Sequence, residues 1–269
     1  MKLPANVFAV LMAMVLVGCS RTPAPPPANT HPETATLPPG DPVEGKRLAT
    51  LVGCNGCHGK DGAGELFHEE KGAYRLVAPN LTQRRALYDD AALKALLREG
   101  RTHDGHRPLG MPILMFQHLS DAEIRDITAW LRSIPAVSGP ALPESWLSEK
   151  TKQLVAKGGP PYDDDRPDLG NRPPSMRPTE PLALGRHLAM TVCSECHGRT
   201  LDSRPGDDTP PLVVAKAYTA DKFTRLMATG ITAAGKESRS GLMTMVARTR
   251  FSHLTAEEVT ALKLYLDSR

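Results

Sequence analysis

Four of the five cysteines stand in two short runs with one pattern in common. Cys54-Asn55-Gly56-Cys57-His58 and Cys193-Ser194-Glu195-Cys196-His197 both read C-x-x-C-H, the attachment pattern of c-type haem. The spacing suits that chemistry. Two thiols three positions apart lie on one side of a helical turn, where they can reach the two vinyl groups of one porphyrin as thioethers. The next residue, His58 or His197, then stands against the porphyrin plane and offers an imidazole nitrogen to iron, the usual proximal role. Other uses of four cysteines fit less well. Two disulfides leave the paired histidines as accidents. A single zinc site would have to join Cys57 to Cys193 across most of a domain, although each pair already has its own histidine. A thioredoxin-like pair needs a strand-helix-strand setting, and neither motif follows a β-branched strand. Two covalently bound haem c groups are therefore expected.

The fifth cysteine, Cys19, closes an apolar N-terminal segment. Val7 to Val17 is uninterrupted apolar, with Lys2 as the only charge before it. That run is too short for a bilayer, which needs about 20 residues, but it fits the apolar region of a signal peptide. Leu16-Val17-Gly18-Cys19 resembles a bacterial lipoprotein box, which implies cleavage after residue 18 and acylation of Cys19. Ser20, where Asp would be the alternative, resembles the outer-membrane-sorting variant. Since haem c is attached outside the cytoplasm, the expected location is the periplasmic side of a bacterial membrane, lipid-anchored and by preference on the outer membrane. The formal net charge of +3 is near neutral and argues against a nucleic-acid partner.

The rest of the chain positions these groups. Residues 19–42 form a Pro-rich tether, with eight prolines between Arg21 and Pro42. Residues 135–179 form a second Pro-rich stretch, which includes Asp163-Asp164-Asp165 and reads as an interdomain linker; Trp146 and Leu147 suggest that part of it packs on a domain. The two remaining blocks, 43–134 and 180–269, repeat one another. Gly45-Lys46-Arg47-Leu48-Ala49 leads to the first motif and Gly185-Arg186-His187-Leu188-Ala189 to the second. Pro79-Asn80-Leu81 parallels Pro210-Pro211-Leu212, and Gly100 and Gly230 each end an apolar-periodic segment. His118-Leu119-Ser120-Asp121-Ala122-Glu123 matches His253-Leu254-Thr255-Ala256-Glu257-Glu258, and both carry a capping-box pattern at a helix start. Strand signals are nearly absent, so an all-α fold is expected in both repeats.

Motif and order of elements together resemble the class I c-type cytochrome family over both repeats. The resemblance implies two tandem cytochrome c domains, each wrapped around a covalent haem c. It also implies an axial methionine from the loop before the C-terminal helix. In the first repeat that loop holds Gly110-Met111-Pro112, with Met115 as competitor. In the second it holds Met243 and Met245; aligning the loop glycines places Met243 nearer to Met111. His103 and His106 in the first loop, and His118 and His253 before the last helices, are the histidine alternatives, while His68 and His187 are expected to have no ligand role. The expected iron ligands are thus His58 with Met111 and His197 with Met243. By the same resemblance, Pro79 and Pro210 offer backbone carbonyls to the free imidazole N–H of His58 and His197.

Two six-coordinate irons leave no open position for substrate, so the expected role is electron transfer rather than catalysis. The partners implied are redox proteins: a dehydrogenase, another cytochrome or a terminal oxidase, with the membrane reached through the lipid anchor. The alternative is a dihaem enzyme, a peroxidase or a dehydrogenase of a small inorganic substrate such as thiosulfate, with one open or displaceable distal site.

Overall fold

The computed structural model describes residues 39–157, 167–168, 170–171, 173–203 and 209–269. Cys19, the 1–18 signal segment, the tether up to residue 38 and Asp163-Asp164-Asp165 lie outside the described residues. In the first half, α1 (Pro42–Leu51) leads through Gly53 into α2 (Cys54–Cys57). Strands β1 (Glu65–Glu70) and β2 (Tyr74–Ala78) follow, then α3 (Leu81–Arg84), α4 (Asp90–Glu99), α5 (Ile113–Phe116) and α6 (Asp121–Ser133). The connecting segment contributes β3 (Trp146–Leu147) and α7 (Glu149–Ala156). The second half runs α8 (Pro181–Leu188), a π turn at Ala189–Cys193, α9 (Ser194–His197), a 3-10 turn at Leu212–Ala217, α10 (Ala220–Thr229), α11 (Leu242–Thr249) and α12 (Ala256–Ser268).

Local chemistry sets the ends of these helices. Pro42 and Pro181 occupy the first turn of α1 and α8, where a missing N–H removes no helical bond. Asp41 and Glu180 cap the same two turns with their carboxylates. Gly100 and Gly230 end α4 and α10 in the left-handed region, at φ +63° and +74°. Both expected capping boxes form: Ser120 with Glu123 on α6, and Thr255 with Glu258 on α12.

In each half the N-terminal helix crosses the C-terminal one at a glycine. A Cβ on Gly45 would lie 1.9 Å from the Asp126 carbonyl oxygen of α6, and one on Gly185 would lie 2.0 Å from that of Ala261 in α12. The backbones touch there, which no other residue permits without moving a helix.

The all-α expectation needs one correction, in the first half only. Strands β1, β2 and β3 form an antiparallel sheet in that order, with Glu65 opposite Ala78, Glu70 opposite Tyr74, and Arg75 opposite Trp146. Tyr74-Arg75-Leu76-Val77-Ala78 carries the aromatic and β-branched content that suits a half-buried strand. Its inward residues Leu76 and Ala78 are buried. The connecting segment also folds back rather than running free: the Val137 carbonyl accepts from Asn80 at 2.9 Å and from Gln83 at 3.2 Å.

Among the described residues the two halves form one compact unit, and their buried residues join a single apolar cluster. The seam between them is related by the repeat. Residues Arg47 and His187 occupy matching positions in α1 and α8, and each reaches the capping glutamate of the opposite half. Arg47 donates to both Glu258 oxygens at 2.9 Å, and His187 Nε2 lies 2.8 Å from Glu123 Oε2. Arg177 bridges them, in an ion pair with Glu258 and 3.5 Å from Glu123. A residue i that meets j while its counterpart meets the counterpart of j is the signature of a two-fold interface, here built within one chain.

Candidate cofactor sites

The cysteines and histidine of each C-x-x-C-H run line a cavity of their own. The first, of about 340 Å³, is lined by Cys54, Cys57, His58, Pro79 and Met111. Its apolar walls include Leu93, Leu97, Phe116, Ile127 and Trp130. The second, of about 720 Å³, is lined by Cys193, Cys196, His197, Pro210 and Met243 against Leu226, Met227, Phe251 and Leu262. Mostly apolar walls and a few converging polar groups are typical of cofactor pockets of this size.

The histidines are oriented identically. His58 Nδ1 lies 2.8 Å from the Pro79 carbonyl and His197 Nδ1 lies 2.8 Å from the Pro210 carbonyl. A carbonyl only accepts, so Nδ1 carries the proton in both rings and Nε2 is left with its lone pair. Burial pushes both imidazoles below their usual range, outweighing the carbonyl bond. They are therefore neutral at pH 7, the form that binds a metal.

The methionines are sorted by burial. Met111 and Met243 are partly buried and line the two cavities. Met115 is fully buried in the core with its Sδ 3.9 Å from Arg250 Nη2, and it lines neither cavity. Met245 is 50% exposed, with its Sδ 3.6 Å from the Thr249 hydroxyl. The loops that carry the chosen methionines repeat one turn. Thr102 and His106 close it in the first half at 2.9 Å, and Thr232 and Lys236 close it in the second at 2.8 Å.

The other histidines sit elsewhere. His103 lies at the exposed rim of the first cavity and meets Tyr88 edge-on at 5.2 Å. His106 pairs with Asp104 at 3.3 Å, and the Thr102 hydroxyl leads the groups that hold the Asp104 carboxyl low. His118 and His253 line neither cavity. His68 stacks near Tyr74 at 5.5 Å.

The residues present fit haem c. Two thiols, an imidazole with a free Nε2 and a thioether sulfur face one apolar cavity, twice over. All four thiols are free, and burial pushes Cys54 and Cys193 up to about 12 and Cys57 to about 11. Among the described residues no group of three or more His, Cys, Asp and Glu is placed to hold a metal ion by itself.

The family model described as Cytochrome c matches the stretch that builds the first cavity. The match covers residues 42–135 and supports a c-type cytochrome over that stretch. No curated protein matches the chain. A cytochrome c domain binds haem covalently and serves electron transfer in general, and the first C-x-x-C-H run, Pro79 and Met111 all fall inside the matched range.

Two groups at these sites were not foreseen from sequence. Glu195 lines both cavities, and Arg250 lines the second while touching the first half. Glu195 sits inside the second attachment motif, so its position was readable. That it faces both cavities depends on how the halves pack, which no local pattern encodes.

Proposed function

We propose that the chain is a dihaem c-type cytochrome that carries single electrons, with His58 and Met111 holding one iron and His197 and Met243 the other. The observation that carries this reading is the repeat of one donor arrangement in two cavities. In each, a histidine is fixed by a proline carbonyl at 2.8 Å and a methionine lines the same cavity. Haem iron held between histidine and methionine supplies one-electron exchange at a relatively high potential.

The residues have distinct tasks. Cys54 with Cys57, and Cys193 with Cys196, would fix the macrocycle through two bonds each. Pro79 and Pro210 hold the ring tautomer and raise imidazole basicity. The apolar walls exclude water and lower the local dielectric, so that ligand identity and nearby charge govern the potential. Acylation of Cys19 would place the protein on the periplasmic side of a membrane, the outer one by preference, with the tether setting its reach. Among the described residues no helix is long and apolar enough to cross a membrane. The partners would be redox proteins, a dehydrogenase or another cytochrome on one side and an acceptor such as a terminal oxidase on the other.

The wider second cavity favours a second reading, an enzyme with a displaceable ligand at that site. A near-infrared spectrum of the oxidised holoprotein separates the two. The carrier gives the methionine–iron band from both haems and no CO binding on reduction. Loss of half the band in Met111→Ala and half in Met243→Ala is the expected result. CO binding to the native reduced protein would establish the enzyme reading in its place.

A further inference from the structure

Between the two cavities the chain places an ion pair. Glu195 lines both cavities, and its carboxylate meets Arg250 Nη1 at 2.7 Å. Arg250 lines the second cavity and reaches into the first half, where its Nε donates to the Leu51 carbonyl at 2.9 Å. A Cβ on Gly53, the residue before Cys54, would lie 2.8 Å from the Arg250 Cζ. One guanidinium thus borders the second site and clamps the segment that delivers the first pair of thiols.

Both charges belong to the second half, and the repeat shows how one-sided this is. With Phe116 matched to Phe251 and Leu119 to Leu254, Arg250 matches Met115; within the attachment motifs Glu195 matches Gly56. Arg250 and Met115 meet at the seam, Nη2 to Sδ at 3.9 Å. The mirror-related positions carry a thioether and a glycine, hence no charge.

The side chains of Arg250 and Glu195 are only 13% and 28% exposed. Replacing such a pair by apolar groups is often neutral or stabilising, and the seam already holds the Glu123 and Glu258 clusters, so cohesion does not account for it. Its distinctive property is place: either charge, if left alone, would act on both sites. A lone carboxylate favours the extra positive charge of an oxidised iron, and a lone guanidinium opposes it.

Resting on the dihaem reading, we propose that Arg250 and Glu195 form a charge-balanced bridge shared by both haem sites, which sets the two reduction potentials together. Arg250 is also a positioning residue for the first attachment segment, through Leu51.

Redox titration of the intact holoprotein, followed optically and fitted to two one-electron components, tests this. A change of one unit charge at an effective dielectric of about 20 should change the ratio of oxidised to reduced protein by about tenfold, which is about 59 mV for one electron. Glu195→Gln, which keeps shape and removes charge, should raise both components. Arg250→Gln should lower both, and the double variant should return both to within about threefold of wild type, as a coupled pair requires. Arg250→Lys, which keeps the charge, should stay near wild type. Shifts confined to one component, or the same sign in both single variants, would overturn the bridge. A haemochrome assay of the wild type separates the two levels of the argument. One haem per chain would overturn the dihaem reading and the bridge with it, whereas two haems with unmoved potentials would overturn the bridge alone.

Discussion

The two halves hold the same histidine–carbonyl bond in different surroundings. His58 reaches Pro79 across 21 positions and His197 reaches Pro210 across 13, yet both bonds are 2.8 Å long. The added residues of the first half build the β1–β2 hairpin, and β3 extends it from the connecting segment. Phe67 of the hairpin and Ser145 beside β3 line the first cavity; among the described residues the second half has no such cover. The cavities differ accordingly, at about 340 and 720 Å³. What orients the histidine is thus independent of what shields its cavity. A repeat can keep the first and vary the second, and solvent access is one of the levers on haem potential.

The seam sharpens this comparison most, because its two clusters match in position and differ in chemistry. Glu258 is 4% exposed and takes two arginines, Arg47 and Arg177; Glu123 is 5% exposed and takes His187 at 2.8 Å. In both carboxyls burial acts upward and the cationic partners outweigh it, so both stay below the usual range. Glu258→Gln removes the carboxylate that two guanidiniums share, leaving Arg47 with Glu44 at 2.6 Å and Arg177 with Glu123 at 3.5 Å. Breaking a buried pair costs about 3–5 kcal/mol, and since Arg47 and Arg177 keep 21% and 22% exposure, the lower end, about 3 kcal/mol, is expected in urea unfolding of the holoprotein. Glu123→Gln should cost less, about 1–3 kcal/mol, because it takes a carboxylate from one imidazole hydrogen bond and one longer arginine contact rather than from two close guanidiniums. Equal losses would show that the two clusters do the same work. A depressed carboxylate stabilises above its ordinary value and loses that contribution as pH falls through the folded one. Wild type should therefore be more acid-sensitive below about pH 4.5 than either variant.

The same contrast explains what could be read along the chain. The attachment motifs, the helix caps at Ser120 and Thr255 and the ends at Gly100 and Gly230 are local, because each depends on residues within a turn of one another. The proline carbonyls reached by His58 and His197 were legible only through resemblance, since a carbonyl has no sequence signature. The sheet escaped notice because β1 is exposed throughout and β3 is two residues long. The seam escaped because Arg47, His187, Glu123 and Glu258 each have an ordinary local reading. Only the packing of the halves brings them together. Arg250 and Glu195 are invisible for the same reason.

His118 and His253 precede the last helix of each half and provide the next test. Burial, followed by the nearby His187 and Arg186, pushes His118 down from 6.5 to about 4, whereas His253 is exposed. A histidine held neutral in the fold binds its proton more readily when the chain unfolds. The unfolded state therefore carries more protons between about pH 4 and 6.5, and stability rises with pH across that window. The contribution is complete above about pH 6.5, and up to about 3 kcal/mol is lost on acidification to about pH 4. His118→Asn should flatten that slope. A slope unchanged in His118→Asn would assign the acid sensitivity to other groups.

The smallest effect lies at the two caps, and it isolates burial from geometry. Ser120 Oγ accepts from the Glu123 N–H at 3.2 Å, and Thr255 Oγ1 accepts from the Glu258 N–H at the same distance. The return bonds to the cap N–H are 2.7 and 2.8 Å. Ser120 is wholly buried at the seam, while Thr255 is exposed. Removing a cap costs about 1 kcal/mol, within a range of about 0.5–2. Thr255→Ala frees an N–H that is only part-buried and should fall below the middle of that range. Ser120→Ala strands its N–H where water does not reach, and an unsatisfied buried donor carries its own desolvation penalty, so it should fall at the top. Thermal unfolding of the two variants under one condition measures the difference, and a Thr255→Ala loss larger than that of Ser120→Ala would mean that water reaches the seam.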